Sequence, residues 1–272
     1  MKLGWAVVPV AGRGTRMYPA AAVIPKSLLP VGIWPMLHTA LDECLRAQIG
    51  GVVLVTGPDQ PLVHSYLDEA LAAGQRGEEG DLADLGRGLM EIELVRVEQT
   101  VPAGVGDAFM LGRPFTGDDP FAVLLPDNWF DADPAAIAQV ARAYATTGCC
   151  ALGMTEVLPE EAHLFGNVGG MELELVGDGT YRVEKLQDKL PGQFPAADGP
   201  VLRGCARYVV DGRFYEALLA TGPPEVGEWD DVPAFQRLIA IDGLAAQLID
   251  GQHYDVGLPA GYLAAAAYMA QK

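Results

Sequence analysis

Apolar, β-rich runs alternate with segments of helical periodicity along residues 5–154 of this chain. The runs are apolar with little interruption, which is typical of strands buried on both faces of a sheet. Strands that alternate with helices in this way predict an α/β fold with a doubly wound, mostly parallel, Rossmann-like sheet. The predicted strands are residues 5–10, 51–56, 92–97, 121–126 and 149–154, and the predicted helices are residues 35–48, 61–73, 105–112 and 134–147.

The second half of the chain has a different pattern. Two β-rich runs, 171–176 and 181–186, flank a Gly-Asp-Gly turn and predict a hairpin, which we expect to form a small β-rich insertion. The alanine-rich stretch 258–271 predicts a C-terminal helix that packs on the core. Glycines and acids accumulate without periodicity at 74–88, which favours an exposed connection. We expect a single domain over residues 1–272.

Charge and hydropathy exclude two classes of partner. Asp and Glu outnumber Lys and Arg by 36 to 18, and the net charge of −18 repels nucleic-acid phosphate. No apolar run approaches the roughly 20 residues that a membrane helix needs, and the start of the chain lacks the pattern of a secretion signal. We therefore expect no nucleic-acid partner, no membrane partner and a cytoplasmic location.

The first predicted strand leads into a glycine-rich loop, Ala11-Gly12-Arg13-Gly14-Thr15-Arg16. Ligands bind at the carboxyl ends of strands in open α/β sheets. Glycines allow backbone amides to approach a phosphate closely, and the guanidinium of Arg16 suits phosphate oxygens. The loop lacks the third glycine of the dinucleotide fingerprint and the lysine of a P-loop. Taken alone, a phosphate-binding loop and a plain tight turn fit it equally well.

The continuation of this loop places Lys26 between Pro25 and Pro30, in a stiff segment that restricts where the lysine points. Taken alone, Lys26 could be a solvated loop lysine. The string Pro9-Val10-Ala11-Gly12-x-Gly14-Thr15-Arg16-x-x-Pro19, followed by Pro25-Lys26-x-Leu28-Leu29-Pro30, resembles the motif of the sugar-1-phosphate nucleotidyltransferases. It is most similar to the bacterial UTP-glucose-1-phosphate uridylyltransferase branch.

This resemblance implies roles for further positions in chain order. It implies that Ala11, Gly12, Gly14 and Thr15 bind the nucleotide, and that Arg16, Lys26 and Lys185 are catalytic. It divides the chain into a nucleotide-binding half, about 1–130, and a sugar-phosphate-binding half, about 131–272.

The third predicted strand is followed by Gln99 and by a glycine-rich turn that contains Gly104. These positions resemble the family's glutamine and turn beside the nucleobase, and Gln99 can offer both a donor and an acceptor to a pyrimidine. Taken alone, Gln99 would more often be a surface residue. The family commonly carries lysine where Ala103 stands and histidine where Asp107 stands.

The apolar run 121–126 ends at Asp127, where a hard metal ion such as magnesium would find an oxygen ligand. A turn or helix-cap role is the alternative for this carboxylate. Asp255 resembles the aspartate of the family's aspartate-x-glycine segment, and the resemblance implies that it completes a Mg2+ site with Asp127. From the residues alone, Asp255 could cap the terminal helix.

The resemblance places the sugar phosphate at Gly166, Glu184 and Lys185. Gly166 resembles the family's aromatic-glycine segment, and Glu184 with Lys185 resembles its Glu-Lys pair. From the hairpin pattern alone, these two charges could be a solvated pair. The usual proline after the lysine is Leu186 here, and the acidic segment 228–233 has no assigned role.

The implied reaction transfers a nucleotidyl group from a nucleoside triphosphate, UTP by resemblance, to a sugar 1-phosphate such as glucose 1-phosphate. Its partners are these small molecules, with a homo-oligomer as a family-level expectation. Three alternatives stay open: a non-catalytic nucleotide-sugar sensor, a thymidylyltransferase of the same family, and an enzyme acting on a phosphorylated alcohol other than a sugar.

Overall fold

The computed structural model describes residues 1–166, 170–187 and 200–272, and a nine-stranded sheet organises them. The thirteen strands are β1 Ala6–Pro9, β2 Pro30–Val31, β3 Trp34–Pro35, β4 Gly51–Thr56, β5 Glu93–Glu98, β6 Phe121–Leu124, β7 Asn128–Asp131, β8 Ala151–Val157, β9 Met171–Gly177, β10 Thr180–Leu186, β11 Val201–Val210, β12 Ala245–Leu248 and β13 Gln252–Asp255 in these described ranges. The α-helices are α1 Met36–Arg46, α2 Pro61–Arg76, α3 Asp81–Met90, α4 Val105–Met110, α5 Arg113–Thr116, α6 Ala136–Thr147, α7 Gly212–Thr221, α8 Val232–Ile241 and α9 Pro259–Met269.

The strand order of the large sheet is β5-β4-β1-β6-β11-β8-β12-β10-β9. β4 is parallel to β5 and β1, β1 is parallel to β6, and β8 is parallel to β12. β11 is antiparallel to both of its neighbours, and the β9–β10 hairpin joins the edge through an antiparallel pairing of β10 with β12. The predicted α/β fold with a mostly parallel sheet and a small β-rich addition is confirmed.

Helices cover both faces of the sheet because successive side chains of each strand point to opposite faces. Val8 of β1 packs in one core with residues of α1, α2, α3 and α6. Val7 packs in the other core with residues of α4, α7 and α8. This double covering explains why the strands of the first half are apolar at consecutive positions.

The C-terminal helix α9 also forms where the sequence predicts it. It packs on a third, smaller apolar cluster that includes Met17, Trp129 and Val256. The opening loop and the last helix therefore share one patch of core. None of the helices in the described ranges has the length and apolar character that a membrane crossing requires.

The prediction of an exposed connection over 74–88 is wrong. α2 continues to Arg76, and α3 occupies Asp81–Met90 with Leu85 and Leu89 buried. Gly77 and Gly80 form the turn between the two helices, but Gly86 serves close packing, since a Cβ built on it would lie 1.8 Å from the carbonyl oxygen of Ala70. The missing side chain lets α3 rest directly on the backbone of α2.

Candidate active site

The glycine-rich loop leaves the carboxyl end of β1 and turns back on itself at Gly14. Gly14 has a left-handed backbone, with φ 64°, and begins a 3-10 turn over Thr15–Met17. A Cβ at this position would lie 2.7 Å from the Cβ of Lys26. Gly14 therefore permits both the turn and the approach of the Lys26 segment to the loop. Gly12 and Thr15 are exposed and Ala11 is half-buried, so this backbone is open to a ligand.

Lys26 points from this segment to the end of β6. Its Nζ donates a hydrogen bond of 2.5 Å to Oδ2 of Asp127, and the two side chains are 17% and 16% exposed. Burial alone would raise the pKa of Asp127, but the charges of Lys26 and Arg16, with a hydrogen bond from Asn128, hold it below its usual range. Asp127 is therefore ionised at neutral pH, as a metal ligand must be.

A small two-stranded sheet brings Asp255 to Asp127. β13 pairs with β7 in a register that sets Asp255 opposite Asn128, and the N–H of Val256 donates to the carbonyl oxygen of Asp127 at 2.9 Å. A Cβ built on Gly257 would lie 2.9 Å from Oδ2 of Asp127 and 3.1 Å from Oδ1 of Asp255. The two predicted metal ligands therefore converge on one point, although they are far apart in the chain.

Asp255 lies in a different electrostatic environment from Asp127. It is 5% exposed, and burial together with the neighbouring charge of Asp127 raises its pKa. Arg203, the N–H of Gly166 and Arg16 oppose that rise. The N–H of Gly166 donates to Oδ2 of Asp255 at 3.0 Å, which joins the predicted sugar-phosphate glycine to the carboxylate pair.

These two carboxylates fit a divalent metal ion. Two buried acids at one point repel each other, and a cation between them would relieve that repulsion. The described residues contain no group of three or more metal-ligating side chains. Two carboxylates completed by substrate phosphates is nevertheless the usual way in which proteins bind Mg2+.

Gln99 follows β5 and is 5% exposed, so it is not the surface residue that the sequence alone allowed, and its amide is already engaged. Nε2 donates to the carbonyl oxygen of Gly104 at 3.0 Å and to Oδ2 of Asp107 at 2.8 Å. With both N–H groups used internally, Oε1 is the atom that Gln99 can offer to a base. Asp107, at a position where the family commonly has histidine, therefore fixes the orientation of this amide.

The structure also shows the role of the acidic segment near residue 229 in shaping this turn. The N–H of Trp229 donates to Ala103 and its carbonyl oxygen accepts from Gly106, both at 2.8 Å. A Cβ on Gly104 would lie 2.4 Å from the nitrogen of Trp229, and Gly104 has φ 103°. Only glycine fits between these backbones, so Gly104 serves packing as well as ligand access.

Glu184 and Lys185 lie outside this group. Both are exposed on β10, and Lys185 Nζ pairs with Oε1 of Glu172 at 3.1 Å across the hairpin. Val183 points into the core, whereas Leu186 and Gln187 reach the site cavity. The role predicted for Lys185 in holding a sugar phosphate stays a prediction.

A buried ion pair that sequence reasoning missed supports the carboxylate loop from behind. Nε and Nη2 of Arg207 donate to the carboxylate of Glu43 at 2.8–3.1 Å. The same guanidinium donates to the carbonyl oxygens of Leu125 and Asn128, at 3.0 and 2.8 Å, on either side of Asp127. The sequence signal for it was weak, since Glu43 is one of several charged residues in α1 and Arg207 is one of two arginines in the otherwise apolar β11.

A cavity of about 190 Å³ lies among the converging residues. Arg16, Asp127, Gly166 and Asp255 line it, and Arg203 of β11 contributes a further cation that was not predicted from the sequence. A larger cavity, about 830 Å³, lies against β8, β10 and β12 and contains none of the predicted site residues. The smaller cavity is the candidate active site because the predicted site residues Arg16, Asp127 and Asp255 line it.

Comparison with known proteins identifies the class. The Nucleotidyl transferase family model matches residues 5–272, so the chain belongs to the nucleotidyl transferase family. Enzymes of this family generally use a divalent metal ion. The resemblance of the opening motif to this family is thereby confirmed.

The chain is similar to individual members of this family over nearly their whole length. A putative UTP–glucose-1-phosphate uridylyltransferase of Bacillus subtilis is 30% identical over 266 residues, covering 95% of this chain and 93% of the relative. UTP–glucose-1-phosphate uridylyltransferase 2 of Staphylococcus saprophyticus is also 30% identical, covering 96% and 90%. An apo UDP-glucose pyrophosphorylase has a TM-score of 0.85 at 25% identity, covering 99% of this chain and 98% of the other.

Proposed function

We propose that this protein transfers a uridylyl group from UTP to glucose 1-phosphate and releases UDP-glucose and pyrophosphate. The convergence of Arg16, Lys26, Asp127 and Asp255 at the carboxyl ends of β1 and β6 carries the proposal. The names of the Bacillus and Staphylococcus relatives support the choice of UTP and glucose 1-phosphate.

The reaction joins two polyanions. An oxygen of the sugar phosphate bonds to the α-phosphorus of UTP, the bond from that phosphorus to the β-phosphate bridging oxygen breaks, and pyrophosphate leaves with the electron pair. The nucleophile is already an anion, so no general base is needed. Catalysis therefore depends on aligning the two substrates and on neutralising charge at the transferring phosphorus.

The position of each group of residues indicates its role in binding the substrates and neutralising their charge. The loop of Ala11, Gly12, Gly14 and Thr15 offers backbone amides to the triphosphate, and Arg16 and Lys26 offset its charge. When Lys26 moves from Asp127 to a phosphate, Asp127 becomes free as a ligand.

Asp127 and Asp255 would hold Mg2+, which when bound would supply positive charge to offset that of the substrate phosphates. Gln99 and the turn at Gly104 would contact the base, with Oε1 of Gln99 accepting from the N–H of uracil. A thymine base carries the same N–H, so Gln99 does not by itself separate UTP from dTTP. A thymidylyltransferase therefore remains the second candidate, and a fold relative with that name has a TM-score of 0.75.

The test is a panel of five nucleoside triphosphates against the 1-phosphates of glucose, galactose, mannose and N-acetylglucosamine, read by pyrophosphate release. We expect the highest kcat/KM for UTP with glucose 1-phosphate. Lys26→Ala and Asp127→Ala should abolish turnover while leaving the fold intact by circular dichroism. Silence across the panel, with nucleotide-sugar binding that needs no metal, would instead identify a non-catalytic sensor.

A further inference from the structure

Arg203 is a buried cation of the candidate active site that no predicted role explains. It lies on β11, is 7% exposed and lines the cavity that contains Asp127 and Asp255. Its Nε and Nη1 have no hydrogen-bond partner in the part of the chain that the structure describes. Burying a guanidinium without hydrogen-bond acceptors costs folding free energy, so the presence of Arg203 at this position needs an explanation.

The neighbouring buried arginine on the same strand shows what a structural role looks like. Arg207 is 2% exposed and donates to Glu43, Leu125 and Asn128, which together use its Nε, Nη1 and Nη2. Arg203 has no comparable set of acceptors among the described residues. The contrast indicates that Arg203 is placed to meet a partner that enters the cavity.

The surroundings of Arg203 identify the chemistry of that partner. Its guanidinium lies over the ring of Phe165, 4.9 Å from the ring centre, next to Gly166. Asp255 and Asp127 line the same cavity, and neither accepts a hydrogen bond from Nε or Nη1 of Arg203. A planar cation held by an aromatic face and near, but not bonded to, two metal-binding carboxylates suits a phosphate anion.

We propose that Arg203 binds the phosphate group of the sugar 1-phosphate, an inference that rests on the proposed function. Arg16 and Lys26 belong to the glycine-rich loop and its continuation, and they serve the triphosphate. Arg203 comes from a different strand, beside Phe165 and Gly166, so it approaches the reaction from a second direction. The acceptor phosphate must lie against the α-phosphate, and a fixed cation there would orient its attacking oxygen.

The role proposed for Arg203 also explains how Lys185 can lie outside the cavity, although the family resemblance implies that Lys185 contacts the same phosphate. Lys185 is 61% exposed and paired with Glu172 on the hairpin, and it does not line the cavity. Arg203 supplies within the cavity the charge that Lys185 presents outside it.

The test compares Arg203→Met, Arg203→Lys and Lys185→Met with the wild type, using Arg182→Met as the matched control. Arg182 is an exposed arginine on β10 whose side chain pairs with Glu174. The KM for glucose 1-phosphate and the KM for UTP are measured separately, each at saturating co-substrate. Arg203→Met should raise the KM for glucose 1-phosphate at least about 10-fold, since a charge-assisted hydrogen bond is lost, and leave the KM for UTP within about twofold.

Arg203→Lys keeps a point charge without the planar fork, so its KM for glucose 1-phosphate should lie between those of Arg203→Met and the wild type. Arg203→Met should unfold in urea at the same concentration as the control or a higher one, because no internal hydrogen bond is removed. A structural arginine would behave in the opposite way, with lower stability and an equal loss for both substrates, and that result would overturn the proposal.

The experiment distinguishes three further outcomes. A wild-type enzyme that is active with UTP and glucose 1-phosphate, with unchanged kinetics in both Arg203 variants, refutes the role of Arg203 and leaves the proposed function intact. A raised KM in Lys185→Met alone assigns the phosphate to the hairpin lysine and has the same consequence. A wild type that is inactive with these substrates refutes both the proposed function and this inference.

Discussion

Asp127 and Asp255 face one point with pKa values displaced in opposite directions. The pKa of Asp127 is lowered because Lys26 and Arg16 outweigh the effect of burial, whereas that of Asp255 is raised by burial and by Asp127 itself. A cation bound between the two carboxylates would relieve the repulsion that raises the pKa of Asp255. On the proposed function, such a cation and Lys26 would share the charge of Asp127, so metal binding would favour movement of Lys26 to a phosphate.

The Glu43–Arg207 pair leads to a prediction about single residues. Glu43→Ala would leave Arg207 buried without a counter-charge, which costs about 3–5 kcal/mol of unfolding free energy. Urea unfolding measures this loss. The matched control is Glu174→Ala, which breaks an ion pair whose two side chains are each 64% exposed, and the expected change there is about 1 kcal/mol or less.

The position of this pair also predicts a catalytic effect. Arg207 donates to carbonyl oxygens on both sides of Asp127, so loss of Glu43 should lower kcat even in the fraction that remains folded. Equal destabilisation by Glu43→Ala and Glu174→Ala, with unchanged kcat, would contradict this account of the loop.

At the scale of elements, the contact between α2 and α3 depends on Gly86. Gly86→Ala would place a Cβ against the backbone carbonyl of Ala70, which no side-chain rotation can relieve. Better helix propensity returns up to about 1 kcal/mol, but overpacking costs about 1–3 kcal/mol. We expect a net loss of stability in urea and unchanged KM values, because the active site lies elsewhere.

Gly4→Ala is the control for this change, since a Cβ built on Gly4 meets nothing within 4 Å. Its unfolding free energy should stay within about 0.5 kcal/mol of the wild type. Two variants of equal stability would mean that α2 and α3 separate easily.

Elements of the first half could be predicted because their signal is local. A strand such as β4, Gly51–Thr56, is apolar throughout and ends at the predicted residue. α3 could not be predicted in this way, because Gly86 and Gly88 weaken its helical pattern and serve contacts with α2 and α1 that only the tertiary structure shows. Glycine is ambiguous in a sequence, since it permits both a turn and close packing.

For the whole molecule, the site was predictable where one continuous motif carried it. The loop from Ala11 to Lys26 lies in a single stretch of sequence, and the structure brings Lys26 to Asp127 and Arg16 to the candidate cavity. Arg203 and Arg207 were not predicted, because the sequence of an apolar strand does not show which residues an arginine within it contacts. Their roles depend on the pairing of β11 between β6 and β8.

Thermal unfolding of the whole protein should show how metal and nucleotide bind. Because the proposed metal site offers only Asp127 and Asp255, Mg2+ alone should bind weakly and raise Tm little. At the proposed site, UTP alone would meet Arg16 and Lys26 but would also face both carboxylates. When both bind, the phosphates of UTP would complete the ligands of Mg2+, and Mg2+ would offset the charge of the carboxylates. Their joint shift in Tm should therefore exceed the sum of the separate shifts.

Differential scanning fluorimetry with Mg2+, with UTP and with both measures these shifts, and EDTA should reverse the joint one without unfolding the protein. Asp127→Asn is the informative variant, because it removes one ligand charge and should abolish the excess shift while keeping much of the shift from UTP alone. An additive response in the wild type would mean that metal and triphosphate bind at separate places. The two carboxylates would then need another explanation for their convergence.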